Sequence, residues 1–194
     1  MRIAFLLILF TISLEINVFG QKSSGIPPKD FIIANSGDTI WGRIIGNITP
    51  ASASLRVTFI DDKSSDKKIY KPYQIKSWHP GAFEYYFESK EYRPLGLPKN
   101  ESGYGVFMKC YTPYQGTIKL YEYYNTDSQE GFYQTYLERR GQMVEVKYEK
   151  FYMQLSEYFS DCLPIATKLK EKKYKKSQLS EIVDEYNKWK IKKV

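Results

Sequence analysis

The stretch GVFMKCYTPYQGTIKLYEYYNTDSQEGFYQTYLERRGQMVEV, residues 105–146, decides the fold. It holds four runs rich in aromatic and β-branched residues, the residue types that favour β-strands, at 105–111, 117–124, 131–138 and 143–146. Glycine, proline or asparagine marks each of the three short breaks between the runs. Because short turns join neighbouring strands that run in opposite directions, this stretch predicts an antiparallel meander.

The chain before this stretch carries further strand signals. Residues 31–33 and 39–45 flank the turn sequence Asn35-Ser36-Gly37-Asp38, which predicts a β-hairpin. Leu55, Val57 and Phe59 alternate with polar residues and predict a third strand. Shorter strands are predicted at 69–70, 74–78 and 83–87, with an edge or a break at Pro72 and a long loop over 92–103.

After the meander the spacing of apolar residues becomes helical. Apolar and aromatic side chains recur on one face over 151–159, and again over 165–169 and 179–189. Ser160 or Asp161 is expected to cap the second helix, and Ser177 the third. The sequence therefore predicts an α+β fold, an antiparallel sheet (meander or barrel-like) followed by two to three C-terminal amphipathic helices. The expected division is 21–29 as a linker, 30–147 as the β domain and 148–194 as the helical region packed on it.

The N-terminus has the features of a signal peptide. Basic Met1-Arg2 precedes an apolar stretch over 3–14, and compact residues at Val18 and Gly20 favour cleavage before Gln21. The apolar stretch is well short of the ~20 residues that a membrane span needs. We therefore expect residues 1–20 to be removed, an exported chain without a transmembrane span, and a periplasmic, extracellular or outer-membrane-surface location.

Composition excludes several functional classes. The 194 residues include two cysteines and one histidine, too few for a disulfide-dense scaffold or a histidine-rich metal site. The net charge of +7 comes mostly from 164–194, which has ten lysines and four acidic residues. Export argues against nucleic acid as the partner of this basic segment. We expect no cofactor, no bound metal and no nucleic-acid partner.

Four segments together resemble a group of uncharacterised secreted proteins from Bacteroidetes-type bacteria. These segments are DFIIANSGDTIWGRI, KIYKPYQIKSW, GTIKLYEYY and the closing FSDC with IVDEYNKWK. The resemblance covers about 30–190. It implies a Gram-negative envelope or extracellular setting, and it implies no activity, substrate or catalytic residue.

The cysteines and the histidine each allow a chemical interpretation and a structural one. Cys110 and Cys162 could form a disulfide that ties a strand to the start of a helix, or could be two separate buried thiols. His79 lies in the sequence Trp78-His79-Pro80-Gly81, which predicts a turn histidine rather than a catalytic one. No nucleophile-elbow motif accompanies it.

Two clusters are the candidate binding residues. Tyrosines on a solvated sheet face can stack on sugars or form a protein-binding face, although neighbouring tyrosines can also point to opposite faces. A run of C-terminal lysines could bind anionic lipid or simply be solvated. The residues are Tyr85, Tyr86, Tyr121, Tyr123 and Tyr124 in the first cluster, and Lys172, Lys173, Lys175 and Lys176 in the second.

The sequence favours an exported, non-catalytic binding or envelope-associated protein, with an envelope protein, a glycan or an anionic lipid surface as its partner. One alternative is a small hydrolase acting on envelope or dietary polysaccharide, which would need two neighbouring carboxylates. Its candidate residues are Glu84, Glu88, Glu91, Glu122 and Glu138. The other alternative is a structural protein attached to the outer-membrane surface through its basic helices.

Overall fold

The computed structural model describes residues 29–93, 103–112, 116–125 and 131–192. The predicted signal peptide, 1–20, and all but the last residue of the predicted linker lie outside the described residues, as does most of the predicted loop over 92–103. The strands are β1 (Asp30–Ala34), β2 (Thr39–Ile44), β3 (Val57–Asp61), β4 (Lys67–Tyr70), β5 (Ile75–His79), β6 (Tyr86–Tyr92), β7 (Tyr104–Cys110), β8 (Ile118–Asn125), β9 (Phe132–Arg139) and β10 (Gln142–Glu145). The helices are α1 (Pro50–Leu55), α2 (Phe151–Tyr158), α3 (Leu163–Lys170) and α4 (Leu179–Ile191), with 3-10 turns at Tyr148–Lys150 and Lys176–Gln178.

The ten strands form a single antiparallel sheet in the order β10-β9-β8-β7-β6-β5-β1-β2-β3-β4. Strands β5 to β10 are neighbours in chain order, which confirms the predicted meander, and α2 to α4 follow it. The α+β class is therefore confirmed. The hairpin between β1 and β2 also forms as predicted, with Gly37 in the left-handed region that its turn requires (φ +101°).

The sheet is strongly curled. In sheet order β3 and β7 are five strand spacings apart, about 24 Å on a flat sheet. Nevertheless α1, which leads into β3, packs against β7 and β8. Val57 and Phe59 of β3 share one buried cluster with Phe107 of β7. The strands at one end of the sheet therefore roll back over its middle.

Three buried clusters form the core, and strand alternation divides them between the two faces of the sheet. On one face, Ile118 and Leu120 of β8 pack under α2, α3 and α4. Further along that face, Trp78 and Phe87 lie in the cluster enclosed by the curled strands and α1. Tyr121 and its neighbours in a third cluster occupy the other face of β6 to β8.

The structure corrects several local predictions. Leu55 ends α1 rather than beginning a strand, because Thr49 caps that helix and Pro50 occupies its first turn. The strand predicted at 83–87 is displaced to Tyr86–Tyr92. Helix α3 begins after Cys162 without a side-chain cap, and α4 begins after a 3-10 turn in which Gln178, not Ser177, accepts a hydrogen bond from the chain. Among the described helices none is long and apolar enough to cross a membrane.

Candidate functional site

The five predicted tyrosines do not share a surface. Tyr86, Tyr121 and Tyr123 belong to the buried third cluster, where Tyr121 has no exposed surface at all. Tyr85 and Tyr124 face the other side of the sheet and are half-buried. The reason is the period of two along a strand, which sends adjacent side chains in opposite directions. The first three therefore serve the core and do not lie on the solvated sheet face that the sequence predicted for them.

Tyr85 and Tyr124 line a groove on the face that the helices cover only in part. One hollow of about 70 Å³ lies between these strands and α1, and a more open one of about 630 Å³ extends towards α4. Both hollows include Tyr85. We name this site the tyrosine groove and define it by Tyr85, Lys109, Tyr111, Glu122, Tyr124 and Tyr133.

Strand register assembles the floor of the groove. Lys109 of β7 lies directly opposite Glu122 of β8, and Tyr124 of β8 lies opposite Tyr133 of β9. Tyr111 follows β7 and continues the pairing, because its N–H donates to Leu120 O at 3.1 Å. The side chains of directly opposed residues share a face, so three strands contribute to one surface.

Two aromatic rings hold the Lys109 ammonium. Its Nζ atom lies 4.0 Å from the centre of the Tyr85 ring and 4.5 Å from that of Tyr111. Within the described residues the ammonium has no hydrogen-bond acceptor and no ion pair, so its three N–H donors stay open. Burial lowers the pKa of Lys109, and the nearby charge of Glu122 opposes that change. The groove thus contains a cation whose contacts among the described residues are to two aromatic rings.

Tyr111 connects this cation to a carboxylate. Its hydroxyl donates a short hydrogen bond to Oε2 of Glu122. Burial, together with that bond and the charge of Glu122, raises the pKa of Tyr111. The phenol therefore stays protonated and orients Glu122, whose other oxygen forms no hydrogen bond among the described residues.

Tyr133 and Tyr124 form the outer wall. Their rings meet edge to face, with centres 5.1 Å apart, and Tyr133 is 56% exposed. Gly131 leaves room for the Tyr124 ring. Its φ is +59°, and a Cβ atom at this position would lie 2.3 Å from the Tyr124 hydroxyl oxygen. The outer wall therefore presents the exposed Tyr133 ring, which packs against the Tyr124 ring.

The opposite face carries a different cluster of charges. The Tyr121 hydroxyl lies 2.7 Å from both Glu88 and Glu138, and Lys90 contacts the same two carboxylates at 3.1 and 2.9 Å. Lys119 adds a bond of 2.9 Å to Glu88. Burial acts to raise the pKa of Glu88, but the two lysines and the Tyr121 hydroxyl together lower it below its ordinary value. Of the five candidate carboxylates, Glu88 and Glu138 come together here, but two lysines neutralise them. Glu122 and Glu84 line the smaller and the larger hollow of the groove.

The remaining candidates lie apart from the groove. Lys172, Lys173, Lys175 and Lys176 are exposed, and they occupy the segment joining α3 to α4 rather than a helix face. Cys110 and Cys162 are free, buried thiols in different clusters, which matches the second alternative, two separate buried thiols. His79 ends β5 and is stacked between Phe31 and Tyr86, rather than lying in a turn. In the part of the chain that the structure describes, no cluster of His, Cys, Asp or Glu could hold a metal ion.

Sequence reasoning missed Lys109, Tyr111 and Tyr133 as partners of Tyr85 and Tyr124. A signal existed for Lys109, which interrupts the otherwise apolar run Val106-Phe107-Met108 and Cys110. Tyr111 and Tyr133 belong to the groove only because the register of β7, β8 and β9 places them on the same face as Tyr85 and Tyr124. Comparison with protein-family models, with curated proteins and with solved structures found no match to this chain.

Proposed function

We propose that this protein is an exported, non-catalytic binding protein whose ligand is a carbohydrate held in the tyrosine groove. One observation carries the proposal: four tyrosines surround an ammonium and a carboxylate, and among the described residues both keep hydrogen-bonding atoms without a partner. Aromatic rings with a few oriented polar groups are typical of concave ligand sites. Sugars present apolar C–H faces to rings and hydroxyls to polar groups, so they match both halves of this surface.

Export is part of the proposal and is supported by the pattern of the first 20 residues and by the resemblance to secreted Bacteroidetes-type proteins. Expression of the full chain in a Gram-negative host tests it. We expect the exported fraction to contain a chain that begins at Gln21, as measured by intact mass. Retention of residues 1–20 on a chain found only in the cytoplasm would contradict export.

The groove favours binding over hydrolysis. A glycosidase needs one carboxyl group held protonated near neutral pH as the general acid. Glu88 has a lowered pKa and lies against two lysines, on the face opposite the groove. In the groove, Glu122 is the one described carboxylate that lines the smaller hollow, whereas Glu84 and Asp184 line the larger hollow and not the one that holds Glu122.

The test is affinity for soluble oligosaccharides, measured by calorimetry on the mature protein. Tyr133→Ala removes an exposed ring and should weaken binding about tenfold, since an aromatic contact contributes on the order of 1 kcal/mol beyond its buried area. Tyr148→Ala is the matched control, because Tyr148 is 45% exposed and belongs to the helical region. Equal affinity of Tyr133→Ala and wild type, or no binding to any oligosaccharide, would overturn the proposal.

A second candidate function, attachment to an anionic membrane surface, is favoured by the exposure of the four lysines between α3 and α4. Attraction between exposed charges is screened by salt. Replacement of Lys172, Lys173, Lys175 and Lys176 by Gln should then abolish co-sedimentation with vesicles containing phosphatidylglycerol at low salt. Unchanged sedimentation of this variant would exclude the second candidate.

A further inference from the structure

We propose that Lys109 and Glu122 together recognise two adjacent hydroxyls of an uncharged sugar, so that the tyrosine groove selects neutral glycans over acidic and basic ones. This inference rests on the proposed function and specifies the ligand class for the same groove. One sugar hydroxyl accepts a hydrogen bond from Lys109 Nζ, and its neighbour donates one to the free oxygen of Glu122.

The first support is that the two charges lie side by side without pairing. Lys109 and Glu122 are directly opposed across β7 and β8, where oppositely charged side chains commonly form an ion pair. Here Tyr111 contacts both instead, its hydroxyl on Glu122 and its ring against Lys109. The aromatic contacts hold the Lys109 ammonium away from the Glu122 carboxylate. A hydrogen-bond donor and an acceptor therefore lie next to each other without bonding to each other.

The second support is the charge balance of the smaller hollow. Ile48, Pro50, Ala53 and Ser54 of the α1 region line one side, and tyrosines with Phe87 line the other. Among the described residues Lys109 and Glu122 are the two charged ones that line it, and their charges cancel. A ligand carboxylate placed at Lys109 would approach Glu122, and a ligand ammonium placed at Glu122 would approach Lys109. Like charges brought together in a partly desolvated site discriminate against the charged ligand.

The third support is burial. Both side chains are half-buried beside apolar and aromatic residues, where a polar atom without a partner is costly. A pair of neutral hydroxyls satisfies a donor and an acceptor together and adds no net charge. A single ion could satisfy only one of the two groups.

The experiment measures binding of wild-type protein to three hexamers of different charge: mannohexaose, hexagalacturonate and chitosan hexamer. We expect the neutral hexamer to bind at least tenfold more tightly than either charged one. Glu122→Gln and Lys109→Met should each weaken binding of the neutral hexamer about tenfold. The matched controls are Glu157→Gln and Lys150→Met, at residues exposed around α2, and these should bind like wild type.

The outcomes separate this inference from the proposed function. Two results would overturn the inference and leave the proposed function standing. The first is tighter binding of hexagalacturonate or chitosan hexamer than of mannohexaose. The second is unchanged affinity in both groove variants while Tyr133→Ala still weakens binding. Absence of binding to all three hexamers and to other oligosaccharides overturns both. The comparison of wild-type affinities stands even if a groove variant fails to fold, which thermal denaturation would show.

Discussion

Asn187 of α4 bonds both backbone groups of Ile118 at the start of β8. Its Oδ1 atom accepts from the Ile118 N–H at 2.8 Å, and its Nδ2 atom donates to the Ile118 carbonyl at 2.9 Å. Both residues, and both hydrogen bonds, are buried. One side chain thus takes the place of a neighbouring strand and ties the last helix to the sheet.

Replacement Asn187→Ala should destabilise the protein by about 2–4 kcal/mol, because it leaves a buried N–H and a buried carbonyl without partners. Urea denaturation followed by circular dichroism measures this. Lys188→Ala, at the exposed neighbouring position, is the control and should change stability little. A loss below about 0.5 kcal/mol for Asn187→Ala would contradict this prediction, because it would mean that water molecules satisfy both backbone groups of Ile118.

The charged cluster on the opposite face is expected to be structural. Lys90→Met removes the cation that contacts both Glu88 and Glu138, so two partly buried carboxylates lose the positive charge that they share. We expect a loss of about 2–4 kcal/mol in the free energy of unfolding. Lys29→Met removes the exposed pair with Asp62 and serves as the comparison, with little expected change. Equal effects of the two variants would contradict a structural role for the cluster.

His79 should make stability fall under mildly acidic conditions. Burial between Phe31 and Tyr86 lowers the pKa of His79 from 6.5 to about 4, against an opposing effect of Glu88. Between these values the unfolded chain binds a proton that the folded chain does not, so acidification favours unfolding. We expect a loss of about 1–2 kcal/mol between pH 7 and pH 5.

The variant His79→Phe tests the assignment, since phenylalanine keeps the stacking and cannot titrate. Its stability should depend less on pH over that interval. The lowered pKa of Glu88 affects stability in a different pH range. Its contribution to the free energy of unfolding is present above pH 4.5, the ordinary pKa of the group, and is lost as the pH falls below that value. An unchanged pH dependence in His79→Phe would assign the effect to other groups.

The two thiols should be free and protected. Cys110 and Cys162 are buried, and burial raises the pKa of Cys110, which lowers its reactivity. In the folded protein iodoacetamide should react slowly with both. In denaturant without reductant, intact mass should show two alkylated cysteines. A mass without alkylation under those conditions would demonstrate a disulfide and contradict this arrangement.

Local sequence patterns predicted most elements because their causes are local. Alternation over 117–124 and helical spacing over 151–159 follow from which side chains must be buried along one segment. These patterns did not predict helix α1, because its six residues are too few to show a helical period. Thr49-Pro50 is nevertheless a signal for the start of a helix. The caps predicted at Ser160 or Asp161 and at Ser177 did not form, because α3 begins later, at Leu163, and a 3-10 turn precedes α4.

The sequence by itself determined the meander, the change to helices and the sign of the C-terminal charge. Alternation also required that neighbouring tyrosines such as Tyr123 and Tyr124 point to opposite faces, but it left open which face is solvated. Only the tertiary structure decided that, because the curl of the sheet and the docking of α2 to α4 determine which face is covered. The position of Lys109 directly opposite Glu122 is likewise decided by the tertiary structure, since strand register depends on how β7 and β8 bury their apolar faces in the common core.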